Sequence, residues 1–464
     1  MNKSPATSAN PKPIDSPPQS YWVETLGCPK NQVDSEKIES GFRSAGLKKA
    51  GSASQADLIV VNTCAFIQEA REESIDVIFE MVEQKKSGSK IAVTGCMAER
   101  YTKELRSELK EVDLVGGFGT DILKVLETNH SASKIGISKI AKLPKLDLLN
   151  LTRVDLKPKQ PWAYIKVAEG CDKNCGFCAI PSFRGRQVSR TPEAIFDEIS
   201  RLKIKEAILV AQDIGSYGKD LEGDKANNYN LRHLYEMISQ MVEWVRVFYI
   251  YPTNLTGSLI ELMAEGPVPY FDLSLQHASP AVLRRMRRYG SMEKFLEKIN
   301  AIRTLNPNAA FRTSFLIGYP GETEEDQDIL LQFVREARLD WVGFFTFSTE
   351  KGTLAESLSH QVAHELALER LREVKAVQDE ITLEKRNSLI GSRLTALADT
   401  KSTARSFREA PDIDGLIKID EQIEDRYVKT PQPYRGSGMV TKPGEFIEVE
   451  IIDSQGVDLI AKRL

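Results

Sequence analysis

Cys171-Asp172-Lys173-Asn174-Cys175-Gly176-Phe177-Cys178 gathers half of the chain's six cysteines into one short stretch. The spacing C-x3-C-x2-C supplies three thiolates, one fewer than the four that a protein normally gives a [4Fe–4S] cluster. One iron would then stay open for another ligand, much as a catalytic zinc keeps an open position. A structural metal loop, or three buried thiols, would use the same residues without that vacancy. The surrounding sequence has to decide between these readings.

At 464 residues the chain has room for two or three domains, each with a core of its own. A composition of 41% hydrophobic and 28% charged residues is that of an ordinary globular protein. No apolar run approaches the roughly 18 residues of a membrane span. The opening MNKSPATSANPKPIDSPPQS lacks the apolar stretch of a signal peptide and reads as a disordered Pro/Ser tail. The expected location is therefore the cytoplasm, where thiols stay reduced and serve as ligands or nucleophiles rather than as disulfides. A net charge of −4 argues against a broad nucleic-acid surface and leaves room for a local basic patch.

The remaining cysteines share one local setting. Tyr21-Trp-Val-Glu-Thr-Leu-Gly-Cys28, Leu58-Ile-Val-Val-Asn-Thr-Cys64 and Ile91-Ala-Val-Thr-Gly-Cys96 are each a short apolar strand pattern ending in cysteine. Helical patterns follow over 31–45, 65–85 and 97–110. Strands alternating with helices imply a parallel sheet, whose strands all end at one edge. Cys28, Cys64 and Cys96 should converge there, where open α/β sheets place ligands. Three buried thiols at strand ends is the plainer alternative. The repeated strand-then-cysteine pattern favours a second three-thiolate cluster with an open iron.

The middle of the chain repeats the rhythm. Strands are expected over 162–168, 206–212, 246–251, 271–276, 311–317 and 341–347, with helices near 192–204, 231–243, 256–265, 280–305 and 323–337. Six βα units predict a partial parallel barrel with function at the C-terminal strand ends, and the 171–178 loop follows the first strand. Polar groups collect at other strand ends: Gln212 and Asp213, Gln276 and His277, and the turn Gly318-Tyr-Pro-Gly321-Glu322-Thr323. His277 reads as a buried structural residue. The turn reads either as backbone that approaches a ligand or as the start of a helix capped by Thr323 and Asp326. Arg284-Arg-Met-Arg287-Arg288 reads as a basic helical patch, either a solvated face or a contact for RNA or an acidic partner.

After a charged helix near 364–388, short strand patterns such as Phe446-Ile-Glu-Val-Glu-Ile-Ile452 predict a small β-barrel over about 390–464. That segment holds 11 Lys and Arg against 13 Asp and Glu. An RNA-gripping barrel would usually be basic, so this one suits a basic protein better. The expected organisation is a tail over 1–19, an N-terminal cluster domain over 20–135, a linker over 136–156, a core over 157–388 and a barrel over 389–464.

From about residue 20 onward the chain resembles a methylthiotransferase of the radical S-adenosylmethionine (SAM) superfamily. The triad with Phe177 before its last cysteine is similar to the signature loop of that superfamily. The family divides by substrate into tRNA adenosine modifiers (MiaB-like) and a ribosomal-protein modifier (RimO-like). Leu26-Gly-Cys28-Pro-Lys-Asn31 with Val-Asp34-Ser-Glu36 resembles the second group, the tRNA enzymes usually carrying Gln-Met-Asn after the cysteine. Asn62-Thr-Cys64-Ala-Phe-Ile67, Gly95-Cys96-Met-Ala-Glu-Arg100, Leu273-Ser-Leu-Gln276-His277-Ala-Ser279 and Arg408-Glu-Ala-Pro-Asp-Ile-Asp-Gly415 agree with it. Gln212-Asp213-Ile214-Gly215 departs from the more usual paired threonines, and 419–442 is longer than the family's TRAM barrel usually allows.

The resemblance implies methylthiolation of the β-carbon of an aspartate in ribosomal protein S-twelve, using two SAM and two [4Fe–4S] clusters. Cys171, Cys175 and Cys178 would hold the cluster that cleaves SAM to a 5′-deoxyadenosyl radical. Cys28, Cys64 and Cys96 would hold the auxiliary cluster that delivers sulfur. Phe177, Gln212, Asp213, Gly318 and Gly321 are candidate cofactor contacts. No side-chain acid or base is assigned, because the cofactor carries the C–H activation. External electron and sulfur donors are implied, and no membrane partner. A tRNA methylthiotransferase is the alternative within the family. Outside it stand a cluster-bearing electron carrier, which would form no 5′-deoxyadenosine, and a zinc-binding structural protein, which would be colourless.

Overall fold

The computed structural model describes residues 17–128, 145–151, 153, 158–221, 229–420 and 441–464. Most of the expected tail, much of the 136–156 linker and nearly all of the 419–442 stretch lie outside the described residues. By packing, the chain forms two compact units. One comprises residues 1–156 with Ser182–Arg184, the other 157–181 with 185–464.

In the first unit, β1 (Ser20–Thr25), β2 (Lys48–Lys49), β3 (Leu58–Thr63), β4 (Lys90–Gly95) and β5 (Leu114–Val115) form one sheet in the order β2-β1-β3-β4-β5. Every pairing is parallel. The apolar runs explain the centre: all six residues of β3 are buried, as expected of a strand covered on both faces. The two-residue edge strands were invisible in the sequence, since two residues carry no periodicity. The helix expected over 97–110 is two, Cys96–Arg100 and Thr102–Glu108, because Tyr101 leaves the helical region at φ −122°.

The second unit holds six parallel strands: β6 (Trp162–Lys166), β9 (Glu206–Val210), β10 (Trp244–Val247), β11 (Tyr270–Gln276), β12 (Ala310–Ile317) and β13 (Trp341–Thr346). A short antiparallel ribbon, β7 (Ala168–Glu169) with β8 (Val188–Ser189), brackets the loop after β6. The six run as two three-stranded sheets, β6-β9-β10 and β11-β12-β13. A parallel bridge from Ile250 to Leu273 links them. Ile250 N–H donates to Asp272 O at 2.9 Å and Ser274 N–H to Ile250 O at 2.9 Å. This is the expected partial (βα)6 barrel, with β6 and β13 as its two edges.

A second helical expectation divides in the same way. The span 280–305 is two helices, Pro280–Arg285 and Met292–Leu305. Arg287 turns left-handed at φ 54°, and Gly290 sits at φ 140° with its α-carbon so close to Phe295 that a Cβ would meet the ring at 2.1 Å. Ser291 then caps the next helix by accepting from Lys294 N–H. The Arg284–Arg288 run is therefore a helix end and a turn, not a helical face.

At the C-terminus β14 (Arg393–Ala398), β15 (Thr403–Arg405), β16 (Ile417–Ile419), β17 (Phe446–Gln455) and β18 (Asp458–Arg463) close into a barrel. Closure removes every exposed strand edge. The barrel packs with the core through buried ionic contacts at the N-terminal ends of the core strands. Glu206, at the start of β9, accepts from Arg246 Nε at 2.8 Å and from Arg405 of the barrel at 2.7 Å. Glu409 pairs with Arg386 at 2.5 Å. Asp414 Oδ2 accepts from Tyr270 Oη–H at 2.6 Å and Ala410 N–H at 2.9 Å, while its Oδ1 has only Arg312 at 3.6 Å.

That half-satisfied carboxyl is fully buried, and burial pushes its pKa up to about 6 against the opposing Arg312. The native state therefore holds a proton that the unfolded chain has already released above about pH 4. Asp414 makes stability fall as pH rises from about 4 to about 6, and the loss is complete above that. Asp414→Asn should gain thermal stability relative to the parent on going from pH 5 to pH 7.5. Melting curves of both proteins at the two pH values check this. An equal difference at both would mean the carboxyl is ionised throughout.

Candidate active site

Parallel register places the first three cysteines. Thr25 pairs with Asn62 and Thr63 with Gly95, so Cys64 and Cys96 leave neighbouring strands at the same level. Cys28 follows β1 and caps the helix Pro29–Ser44, with its carbonyl accepting from Asn31 N–H at 2.8 Å. Asn31 is buried and holds the edge together: its Nδ2 donates to Leu26 O and to Thr63 O, both at 2.9 Å. Asn62 returns the arrangement, donating to Asn31 O and Ser35 Oγ at 2.9 Å. The Pro-Lys-Asn and Val-Asp-Ser-Glu signature thus contributes side chains to the site rather than forming an ordinary helix start.

Arg184 is a site residue that no motif or periodicity marks. It packs within the first unit with a side chain 3% exposed. It donates to Cys96 Sγ at 3.1 Å, Asn31 Oδ1 at 2.9 Å and Asp34 Oδ2 at 3.0 Å, and stacks 3.4 Å from the centre of the Phe118 ring. Only its position six residues after Cys178 could have drawn notice. Burial pushes the Cys64 thiol up to about 12, helped by the nearby Cys28 and Cys96. Desolvation would raise the half-buried Cys28 too, yet Lys30, the Asn31 amide and Arg184 together hold its thiol below the usual range.

The second triad lies in the loop between β7 and β8 of the other unit. Gly170 N–H donates to Gln212 Oε1 at 3.0 Å, and Gln212 Nε2 donates to Glu169 Oε1 at 2.7 Å. Lys166 completes this line by pairing with Glu169. Cys171 N–H donates to Gly185 O at 3.1 Å and Cys178 N–H to Cys175 O at 3.1 Å. Gly176 is wedged under Tyr319, whose hydroxyl a Cβ would meet at 2.6 Å. Its N–H donates to Met286 O and its carbonyl accepts from Ala355 N–H, each at 2.8 Å. Phe177 packs beside Val282, Met286, Tyr319 and Ala355. Burial raises Cys171 to about 11, with Asp213 and Cys175 adding, and Cys178 to about 12, with Cys175 and Cys171 adding.

The other expected contacts fall at β-strand ends of this unit. Asp213 accepts from Ser216 Oγ at 2.8 Å and Asn254 Nδ2 at 3.1 Å, with Lys173 Nζ 3.7 Å away. Gly215 explains its departure from the usual threonine: a Cβ there would lie 2.3 Å from Asn254 Cβ. Ile214 is wholly buried in the core. Gly318 (φ 81°) lies against Ala367, where a Cβ would approach to 2.6 Å, and Gly321 (φ 79°) lies over the Arg285 guanidinium. Both belong to a turn whose next residues, Thr323 and Asp326, form the expected capping box. His277 is buried, accepting Ser279 N–H on Nδ1 at 3.0 Å with Glu322 beside Nε2 at 3.6 Å, as a structural histidine should be.

Each set suits a cluster bound by three thiolates, since each brings three cysteines that form no disulfide into mutual electrostatic range. Among the described residues no three His, Cys, Asp or Glu side chains close to the spacing of a single metal ion. A cubane spreads its thiolates over different irons and needs the wider arrangement.

Residues 20–117 match the family described as uncharacterized protein family UPF0004, 165–334 the radical SAM superfamily and 390–464 the TRAM domain. A ribosomal protein uS12 methylthiotransferase RimO of Moorella thermoacetica is 40% identical over 411 residues, 86% of this chain and 92% of that protein. The protein of the same name from Pasteurella multocida is 37% identical, covering 95% of this chain and 97% of its own length. The Thermus thermophilus one is 39% identical, covering 85% and 92%. Among solved structures, the cobalamin-dependent SAM radical enzyme OxsB aligns at 12% identity and TM-score 0.46 over 78% of this chain and 56% of its own.

Fold and matches together define a radical SAM methylthiotransferase, an enzyme class that uses SAM and iron–sulfur chemistry. Within that class, the chain belongs to the ribosomal protein uS12 methylthiotransferase family. No described helix is long and apolar enough to cross a membrane.

Gly27 offers a direct test of the first triad. It sits at φ +87°, and a Cβ would lie 2.7 Å from Cys64 Sγ. Gly27→Ala should displace that thiol and lower iron uptake by the first unit about as much as Cys64→Ala does. Iron per chain after anaerobic reconstitution, with Gly46→Ala as control because nothing lies within 4 Å there, measures the effect.

Proposed function

We propose that this chain transfers a methylthio group to the β-carbon of an aspartate in ribosomal protein uS12. The observation that carries the reading is the presence of two separate strand-end sets of three cysteines, in a chain whose relatives are named for that reaction. Cys171, Cys175 and Cys178 hold the radical-generating [4Fe–4S] cluster, and Cys28, Cys64 and Cys96 the sulfur-delivering one. With SAM, the bound clusters supply a 5′-deoxyadenosyl radical and a methylated sulfur, which together replace an unactivated C–H bond with C–S.

The chain's own groups bind and orient. Gln212 and Glu169 fix the entry of the radical loop through the Gly170 N–H. Asp213, beside Lys173 of the loop, and Phe177, within it, are assigned to SAM. Gly318 and Gly321 set the turn at the end of β12 and act through its shape, since the Gly318 N–H is held by Glu322 and the Gly321 N–H by His360. Buried strand ends keep water from the radical. No side chain is assigned a proton. The acidic C-terminal segment favours a basic protein partner over RNA. An external one-electron donor and a sulfur donor complete the reaction in the cytoplasm.

Reconstituted protein should hold about eight iron and eight sulfide per chain. Cys28→Ala should keep SAM cleavage to 5′-deoxyadenosine and lose sulfur insertion. Loss of both activities would mean that the two sets do not divide the labour. Mass spectrometry of uS12 from cells with and without the gene decides the substrate. The methylthio mass should vanish without it, and an unchanged uS12 mass beside altered tRNA adenosines would assign the chain to tRNA.

A further inference from the structure

Arg288 lies in the turn that replaces the expected helix, and its guanidinium is fixed on three sides. Nη1 donates to Cys175 Sγ at 3.4 Å, Nη2 donates to the Ser274 carbonyl of β11, and the group lies 4.2 Å from the centre of the Tyr251 ring. Its Nε is buried without a hydrogen-bond partner. Of the four arginines in the run, Arg284 and Arg287 are exposed, and Arg285 is occupied by Gly321 O at 2.6 Å and Asp326 at 3.2 Å. Arg288 alone is aimed at a thiol of the radical loop.

We propose that Arg288 is a positioning residue that sets the reduction potential of the cluster held by Cys171, Cys175 and Cys178, which rests on the assignment of those cysteines to a cluster. The argument is electrostatic. Accepting one electron from an external one-electron donor adds a negative charge to a centre already surrounded by three thiolates. An N–H···S bond from a cation stabilises that reduced state more than the oxidised one, because hydrogen bonds to sulfur and local charge set such potentials. The fork geometry matters beyond the charge. With one nitrogen fixed on Ser274 O, the other is presented to Cys175 without further loss of side-chain freedom. A lysine, with a single ammonium, cannot span both acceptors. Removing the guanidinium should therefore make the cluster harder to reduce.

The test uses the full chain carrying Cys28→Ala, Cys64→Ala and Cys96→Ala, so that only the radical cluster is present, and adds Arg288→Gln or Arg288→Lys. Redox titration with dithionite, read by the EPR signal of the reduced cluster, gives the midpoint potential. We expect Arg288→Gln to lower it by about 59 mV, the one-electron equivalent of a tenfold smaller reduced-to-oxidised ratio at fixed potential. Arg288→Lys should move it in the same direction by less. If the parent takes up no iron, the cluster assignment itself fails. If both variants bind iron as the parent does and their potentials are unchanged, Arg288 is only a structural clip between the turn and β11. Should Arg288→Gln not retain iron, Arg288→Lys decides alone, an unchanged potential overturning the proposal.

Discussion

Asn31 makes the contact on which the N-terminal site depends. One side-chain amide binds the carbonyls that end β1 and β3, so the chain segments carrying Cys28 and Cys64 leave the sheet at a fixed separation. Parallel pairing in unbroken register then brings Cys96 to the same level on β4. An aspartate in place of Asn31 would put an acceptor against two acceptors and open the edge. The core relies on a comparable device: Gln212 offers its oxygen to the loop and its nitrogen to Glu169, and so spans the ends of neighbouring strands.

The sites are alike in a second respect. In each, one arginine reaches a cysteine sulfur: Arg184 to Cys96 in the first unit, Arg288 to Cys175 in the second. Both are held by further acceptors and an aromatic face, so neither is a mobile surface charge. Burial raises the thiols of Cys64 and Cys178, and repulsion from the neighbouring cysteines adds to it. A fixed guanidinium offsets part of that repulsion without competing for a ligand position.

Much of this was legible in the sequence, for identifiable reasons. Apolar runs ending in cysteine located β1, β3 and β4, because buried parallel strands are continuous hydrophobic segments. The six-strand rhythm located the core, and turn residues located the capped helix after Gly321. What escaped notice depended on distance in the chain. Glu206 and Arg405 are 199 positions apart, and nothing local marks them as partners. Arg184 carries no local signal, and Arg288 reads only as part of a basic patch, because periodicity does not report where a side chain is bent. The helix over 280–305 misled for a related reason, its apolar spacing continuing through a turn that Arg287 and Gly290 impose.

The joint between barrel and core acts as a ruler. Glu206, Tyr270 and Trp341 stand at the beginnings of their strands, and all three engage the barrel segment from Arg405 to Asp414. The Cys171–Cys178 loop lies past the opposite ends. With seven residues in β11, the two features are separated by roughly 20 Å of strand. A single molecule touching both features would have to span that length, which takes about six residues of extended chain. The length of the core strands, and not the side chains at either end, therefore fixes how far the barrel joint stands from the Cys171–Cys178 loop.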